Sequence, residues 1–403
     1  VEESSVQKSE IKEEKQTKEY EPLLPDPKIN FSIPNDYALQ ISSLCKIYYG
    51  KLGFYIYQIA IIVYFFGTIW GYAQVVSSSL TSVVPFQFLP NYHESSWACS
   101  DPCQNYSQAC SDAYWIWISV CIMISLMVFV NLSDQKILQT VFTICRFLVL
   151  GVTCIITIYC LSTQPFKDIV YPSNNFINPH VSMFKFDFQA IGSVFSSVTF
   201  SQIYHHSLPS LIQPTMHKDQ GKLNRSVLIS QVFLVLITIL LALPGALYFG
   251  NDGADLITLN YQSWTGTGFV GDQPLFPAII SYFIRLMPPI YVLSAIPING
   301  LTMALNAMEL LPERHREKKS FQIAIKLLCV IPPIILGGFS RCLGVIIEFT
   351  GLMGFIIVLA PAILLIKAQK QCKTEFKTIK SQFSISALDN KYVIWAIVGF
   401  NLA

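Results

Sequence analysis

Residues 188–212 read FQAIGSVFSSVTFSQIYHHSLPSLI, a bilayer-length run that interleaves apolar side chains with hydroxyls, an amide and two imidazoles. In helical register Ser193, Ser197, Ser201 and His205 recur every four residues and share one face. Ser196, Thr199, Gln202 and His206 widen that polar region, and Pro209 interrupts the end of the run. Lipid hydrocarbon satisfies none of these groups, so the pattern predicts a span whose polar side faces protein or a water-filled path. Such a span points to a protein that handles a polar solute inside the bilayer.

The rest of the chain shares this preference for a membrane. Of its 403 residues 52% are hydrophobic and only 13% charged, against roughly a quarter charged in a soluble domain. A net charge of +2 gives no basis for nucleic-acid binding. About nine apolar stretches are long enough, or nearly so, to cross a bilayer, at 52–80, 114–130, 137–161, 188–212, 227–249, 275–305, 321–339, 343–366 and a last one opening at Tyr392. The class is therefore all-α integral membrane, with residues 1–50 preceding a transmembrane domain over 51–403. The chain opens on Val1 in polar sequence and stops at Ala403, about a dozen residues into its final apolar run. These ends predict missing spans before Val1 and a truncated last span.

Orientation follows from the cations. Lys136, then Lys218, Lys222 and Arg225, then Arg314, Arg316, Lys318 and Lys319, then Lys367 to Lys380 occupy alternate connections, whereas the intervening ones hold only Lys167, Lys185 and Arg341. The positive-inside rule makes the basic set, and with it residues 1–50, cytosolic. The opposite side opens with a loop over 81–113 that lacks Lys and Arg and carries Cys99, Cys103 and Cys110 around the sequon Asn105-Tyr106-Ser107. A thiol cluster with a sequon suits an oxidising compartment, with Asn105 glycosylated and the cysteines in disulfides. The odd count leaves one thiol free or paired elsewhere. A zinc site with His93 is the weaker reading of the same residues.

The cytosolic start, rich in Glu, Lys, Ser and Pro, reads as a disordered connection. Glu19, Tyr20, Leu23 and Leu24 within it match an acidic-dileucine pattern overlapping a tyrosine-based one. Trafficking adaptors read such patterns, which favours an endosomal or lysosomal membrane over the plasma membrane. Tyr37, Ile41, Leu44 and Tyr48 then repeat at helical spacing before Gly50, predicting a short interfacial helix.

Several spans are built for more than anchoring. Pro288, Pro289 and Pro297 in 275–305 each free a carbonyl, beside Tyr291, Ser294 and Asn299. The first span carries Gly67 and Gly71 with Tyr64, Thr68, Tyr72 and Gln74, and the 343–366 span carries Glu348, Gly351, Gly354 and Pro361. Arg146 and Arg285, embedded near span ends, read as snorkelling or structurally paired, and Glu348 as a proton site or a partner for Arg341. A membrane enzyme using His205 or His206 would need a second catalytic group at matching depth, and no other span supplies a histidine, so the protein reads as a non-enzyme that needs no cofactor.

The run from Ser196 through Leu208-Pro209 to Leu211, with a small-residue break, an aromatic, a His and a Leu-Pro pair, resembles the sixth-helix signature of the amino acid/auxin permease superfamily. The order of spans agrees over nearly the whole chain. The resemblance implies a LeuT-like inverted-repeat transporter of eleven helices, of which these nine would be the third to the eleventh. It implies alternating access by an amino acid or related zwitterion, coupled to H⁺ or Na⁺, around an unwound sixth helix near 196–200. On that plan Ser196, Ser197, Thr199, Phe200, Thr68 and Tyr72 would bind substrate, and Ser294, Pro297 and His205 would serve ion coupling. The competing expectation is a transport-dead solute sensor or scaffold on an endolysosomal membrane. In that case the 314–319 loop and the 1–30 tail would hold partners.

Overall fold

A computed structural model describes residues 40–84, 108–129, 136–163, 188–203, 220–250, 253–266, 272–316, 318–375, 390, 392–395 and 399. All regular structure among them is helical. The main helices are α1 (Ile41–Val83), α2 (Gln108–Ser125), α3 (Lys136–Thr163), α4 (Phe188–Gln202), α5 (Gln220–Phe249) and α6 (Leu275–Glu309). They are followed by the four-residue α7 (Glu313–Arg316), then α8 (Lys319–Phe339) and α9 (Leu343–Glu375). Seven helices among the described residues are long and apolar enough to cross a membrane. The other two expected spans, 188–212 and the one opening at Tyr392, are described over only part of their length.

α1 stands at the centre, packed by α6, α9, α8 and α2. It is divided at Gly50, whose φ of 68° and ψ of −159° suit a residue without a Cβ. Beyond that point Ile61, Phe65, Ile69, Ala73 and Val76 enter one apolar core with Ile118 of α2, Ile296 of α6, Ile334 of α8 and Ile357 of α9. In lipid such packing gains van der Waals contact, which small residues increase by letting backbones close up. A Cβ on Gly67 would lie 2.1 Å from Thr350 Oγ1, and one on Gly300 2.3 Å from Val330. α3 packs against α5 and α6. The most apolar window of α5 buries nothing, leaving Phe233, Leu236 and Leu240 exposed, as a lipid-facing helix requires.

Groups expected on one side of the membrane meet at one end of the bundle. Lys367 of α9 donates to the Tyr48 carbonyl and lies 4.1 Å from the Tyr49 ring centroid, while Gln58 Nε2 donates to Glu309 Oε2 at 2.6 Å. At the opposite end Arg341 donates to Ser111 Oγ (2.7 Å), and the Tyr114 hydroxyl donates to the Gly337 carbonyl (3.0 Å).

One sequence expectation needs correction. The unwound segment near 196–200 is absent, because α4 runs as regular helix through Gln202 and loses that form only at Ile203. Its Ser196 hydroxyl is satisfied across the helix crossing by the Glu348 carbonyl (2.6 Å), so nothing there pulls the backbone open. α6 runs through Pro288, Pro289 and Pro297 as one helix of 35 residues.

Candidate functional site

The periodicity of α1 sets the site. Tyr64, Thr68 and Tyr72, four residues apart, share a face, with Tyr64 and Thr68 buried and Tyr72 half-buried. The Thr68 hydroxyl donates to the Tyr64 carbonyl (2.8 Å), a local bond common for threonine inside a helix. The Tyr64 hydroxyl reaches α4 and donates to the Phe200 carbonyl (3.5 Å), with the two rings 6.0 Å apart. Phe200 lies in the last turn of α4, where carbonyls lack an intrahelical donor, so a phenol from the neighbouring helix serves as a partial cap.

At the other end of this face Tyr72 stands near the Arg146 guanidinium of α3 and the Asn299 side chain of α6. Arg146 is seated on the Tyr291 ring of α6, its Cζ 4.5 Å from the centroid. Tyr291 falls at the middle of α6, deep in the apolar layer. Tyr64, Thr68 and Tyr72 thus form a polar seam between Phe200 on one side and Arg146, Tyr291 and Asn299 on the other. It presents hydroxyls, an amide, aromatic faces and one fixed cation to the membrane interior, the functional inventory of a small polar ligand site.

The other expected site residues divide. Phe200, Thr68 and Tyr72 belong to the seam. Ser196 is buried against α9, and Thr199 points the same way, its Cγ2 lying 3.2 Å from where a Cβ on Gly354 would stand. Gly351 makes that crossing possible, since a Cβ there would lie 2.2 Å from the Ser196 carbonyl oxygen. Ser193 donates to Glu348 Oε1 (2.5 Å), and Phe195 stacks on Phe355 at 4.6 Å. Ser197 is half-buried. Ser294 donates to the Tyr291 carbonyl (2.7 Å) within its own helix, and Pro297 is buried in α6. Cys110 is buried near the start of α2. His205, Asn105, Cys99, Cys103, Glu19, Tyr20, Leu23 and Leu24 lie outside the described residues.

Arg146, expected to be snorkelling or structurally paired, joins the seam, as do Tyr291 and Asn299, which the sequence marks beside the prolines of 275–305 without assigning them a ligand role. The available signal for Arg146 was a lone cation within an apolar run, shared with Arg285. Arg285 is the structural case, buried to 1% exposure, donating to the Ser82 (3.2 Å) and Ser281 (3.4 Å) carbonyls and lying 4.9 Å from the Tyr282 centroid.

Comparison with known proteins finds relatives of this chain. Transmembrane protein 104 homolog of Drosophila melanogaster is 24% identical over 383 residues, covering 90% of this chain and 72% of the relative. Transmembrane protein 104 homolog of Caenorhabditis elegans is 26% identical over 275 residues, covering 66% of this chain and 50% of the relative. Human transmembrane protein 104 is 22% identical over 335 residues, covering 79% of this chain and 62% of the relative. The chain therefore spans between half and about three-quarters of the length of these relatives. The family described as transmembrane amino acid transporter protein matches residues 6–400, so the chain belongs to that family.

Proposed function

We propose that this protein is a secondary active transporter of amino acids or related small zwitterions, working by alternating access and coupled to H⁺ or Na⁺. The observation that carries the reading is the seam Tyr64–Thr68–Tyr72, flanked by Phe200 and Arg146, in a member of an amino acid transporter family. Phenol and threonine hydroxyls suit an ammonium or a carboxylate, and the aromatic faces of Phe200 and Tyr291 suit the apolar part of a side chain. A LeuT-like arrangement of inverted repeats is the frame in which such a site would be reached from each side in turn. Ser294 and the Leu293 carbonyl, which lacks its helical donor because of Pro297, would serve a coupling cation, with His205 as a proton-sensitive group.

The environment of the protein follows from the same reading. Cys110 and Cys342 are both disulfide-bonded, which supports an oxidising compartment on the side away from the basic loops. Asn105 would be glycosylated there. The pattern Glu19, Tyr20, Leu23 and Leu24 would direct the protein through trafficking adaptors to endosomal or lysosomal membranes.

Uptake of labelled amino acids into proteoliposomes under imposed H⁺ and Na⁺ gradients tests this reading. Accumulation that collapses when the gradient is dissipated is the expected result. A second reading, a transport-dead sensor, draws on one observation: the Ser193 and Ser196 hydroxyls are engaged by Glu348 across a tight helix crossing rather than turned to a path. Amino-acid binding without accumulation under any gradient would select it.

A further inference from the structure

Arg146 and Arg285, each within a described span, are held in opposite ways. Arg285 is buried and spends its donors on backbone carbonyls of α1 and α6. Arg146 belongs to a 23-residue apolar span, Thr140–Ser162, and its side chain is exposed. A cation facing hydrocarbon at that depth is costly, so an exposed arginine there lines a polar path or meets a ligand. Its described contact is aromatic, the Tyr291 ring at 4.5 Å, with the Tyr72 phenol nearby. A ring face attracts the charge electrostatically and fixes the side chain without the carboxylate that would neutralise it. Among the described residues no carboxylate pairs with Arg146.

We propose that Arg146 binds the carboxylate of the transported solute, with Tyr72 and Asn299 as adjoining hydrogen-bond groups and Tyr291 as the residue that positions the guanidinium. The planar fork of N–H donors matches the two oxygens of a carboxylate, a fit that a lysine ammonium does not reproduce. The Asn299 side chain stands near the Tyr72 phenol and adds an amide to the same end of the seam. Recognition of the acid group thus sits on α3 and α6 at the Tyr72 end of the seam. The amino group and side chain extend along Thr68 and Tyr64 towards Phe200. The solute class is then narrower than small polar molecules: a free carboxylate is preferred, and amines or amides of the same shape bind more weakly.

This inference rests on the amino-acid reading above, and its test separates the two. The purified protein is screened for binding of the twenty labelled proteinogenic amino acids, and the tightest binder is compared with its α-carboxamide. Wild type is expected to prefer the acid by about 30-fold or more. Arg146→Gln should remove that preference by weakening the acid while leaving the carboxamide unchanged. Arg146→Lys should restore part of it, and Tyr291→Phe should leave it intact where Tyr291→Leu reduces it. Retained carboxamide binding serves as the folding control. Equal loss of both ligands in Arg146→Gln would mark a merely structural residue and overturn the proposal, as would wild-type discrimination surviving in that variant. Failure of wild type to bind any of the twenty would remove the amino-acid reading and this proposal with it.

Discussion

The hydroxyl of Tyr64 donates to the backbone carbonyl of Phe200, and the two rings lie 6.0 Å apart. One residue comes from the central helix and the other from the last turn of a helix 136 positions later in sequence. The contact couples α4 to α1 through one hydrogen bond and one pair of rings. Tyr64→Phe should cost about 0.5–1.5 kcal/mol of stability by removing that bond while keeping the ring. Phe200→Ala should leave the bond in place and lower solute affinity by opening one end of the seam. Thermal unfolding in detergent alongside ligand binding distinguishes the two effects.

Close helix approach gives a second expectation. A methyl group on Gly67 would collide with Thr350, the nearest atom being Oγ1 at 2.1 Å. Gly67→Ala should therefore destabilise the α1–α9 contact by about 1–3 kcal/mol. Thr350→Ala removes the colliding hydroxyl and should recover part of that loss, so the two changes together should be less harmful than their sum. A double-mutant cycle on thermal stability measures the coupling, and strict additivity would show that α1 and α9 do not meet there.

At the end of the bundle where α1 begins, Gln58 is fully buried and donates to Glu309 Oε2 (2.6 Å) and to the Asn306 carbonyl (3.2 Å). Gln58→Leu leaves the carboxylate of Glu309 without that donor, at a cost of about 1–3 kcal/mol. Glu309→Gln in the same background supplies a neutral side chain and should restore part of the stability. Hydrogen exchange should report the loosening first at the junction of α6 with the start of α1.

The cysteines allow a chemical test of topology. Of eleven in the sequence, seven described ones carry free thiols, while Cys110 and Cys342 are disulfide-bonded. Only Cys99 and Cys103 are left, so the partner of Cys342 should be Cys99, Cys103 or Cys110. Peptide mapping without reduction should link a peptide containing residue 342 to one from 99–110. Cys342→Ser should lower stability by about 2–4 kcal/mol. Recovery of Cys342 as a free thiol would remove the oxidising-side assignment for that end.

Much of the architecture was legible because the bilayer imposes it. Apolar length marks spans, and it depends on local sequence alone. The face Tyr64–Thr68–Tyr72 was likewise open to periodicity. The state of α4 was not: small polar residues such as Ser196 and Ser197 suit either an unwound segment or a tight crossing, and the choice lies with Gly351 and Glu348 on α9, some 150 residues away. Nor did local sequence separate Arg146 from Arg285. Both are single cations in apolar runs, and their roles differ only through the neighbours that the fold brings to them, carbonyls of Ser82 and Ser281 for one and the ring of Tyr291 for the other.

The most direct test of the account is whether solute occupies the α1 seam. Tyr72→Cys in the intact protein, reconstituted in vesicles, is treated with a membrane-impermeant thiol reagent, and labelling at position 72 is quantified by mass spectrometry. The account predicts labelling from the aqueous phase that slows several-fold when a bound amino acid is present. Labelling whose rate ignores every amino acid, or no labelling from either side of the membrane, would contradict it.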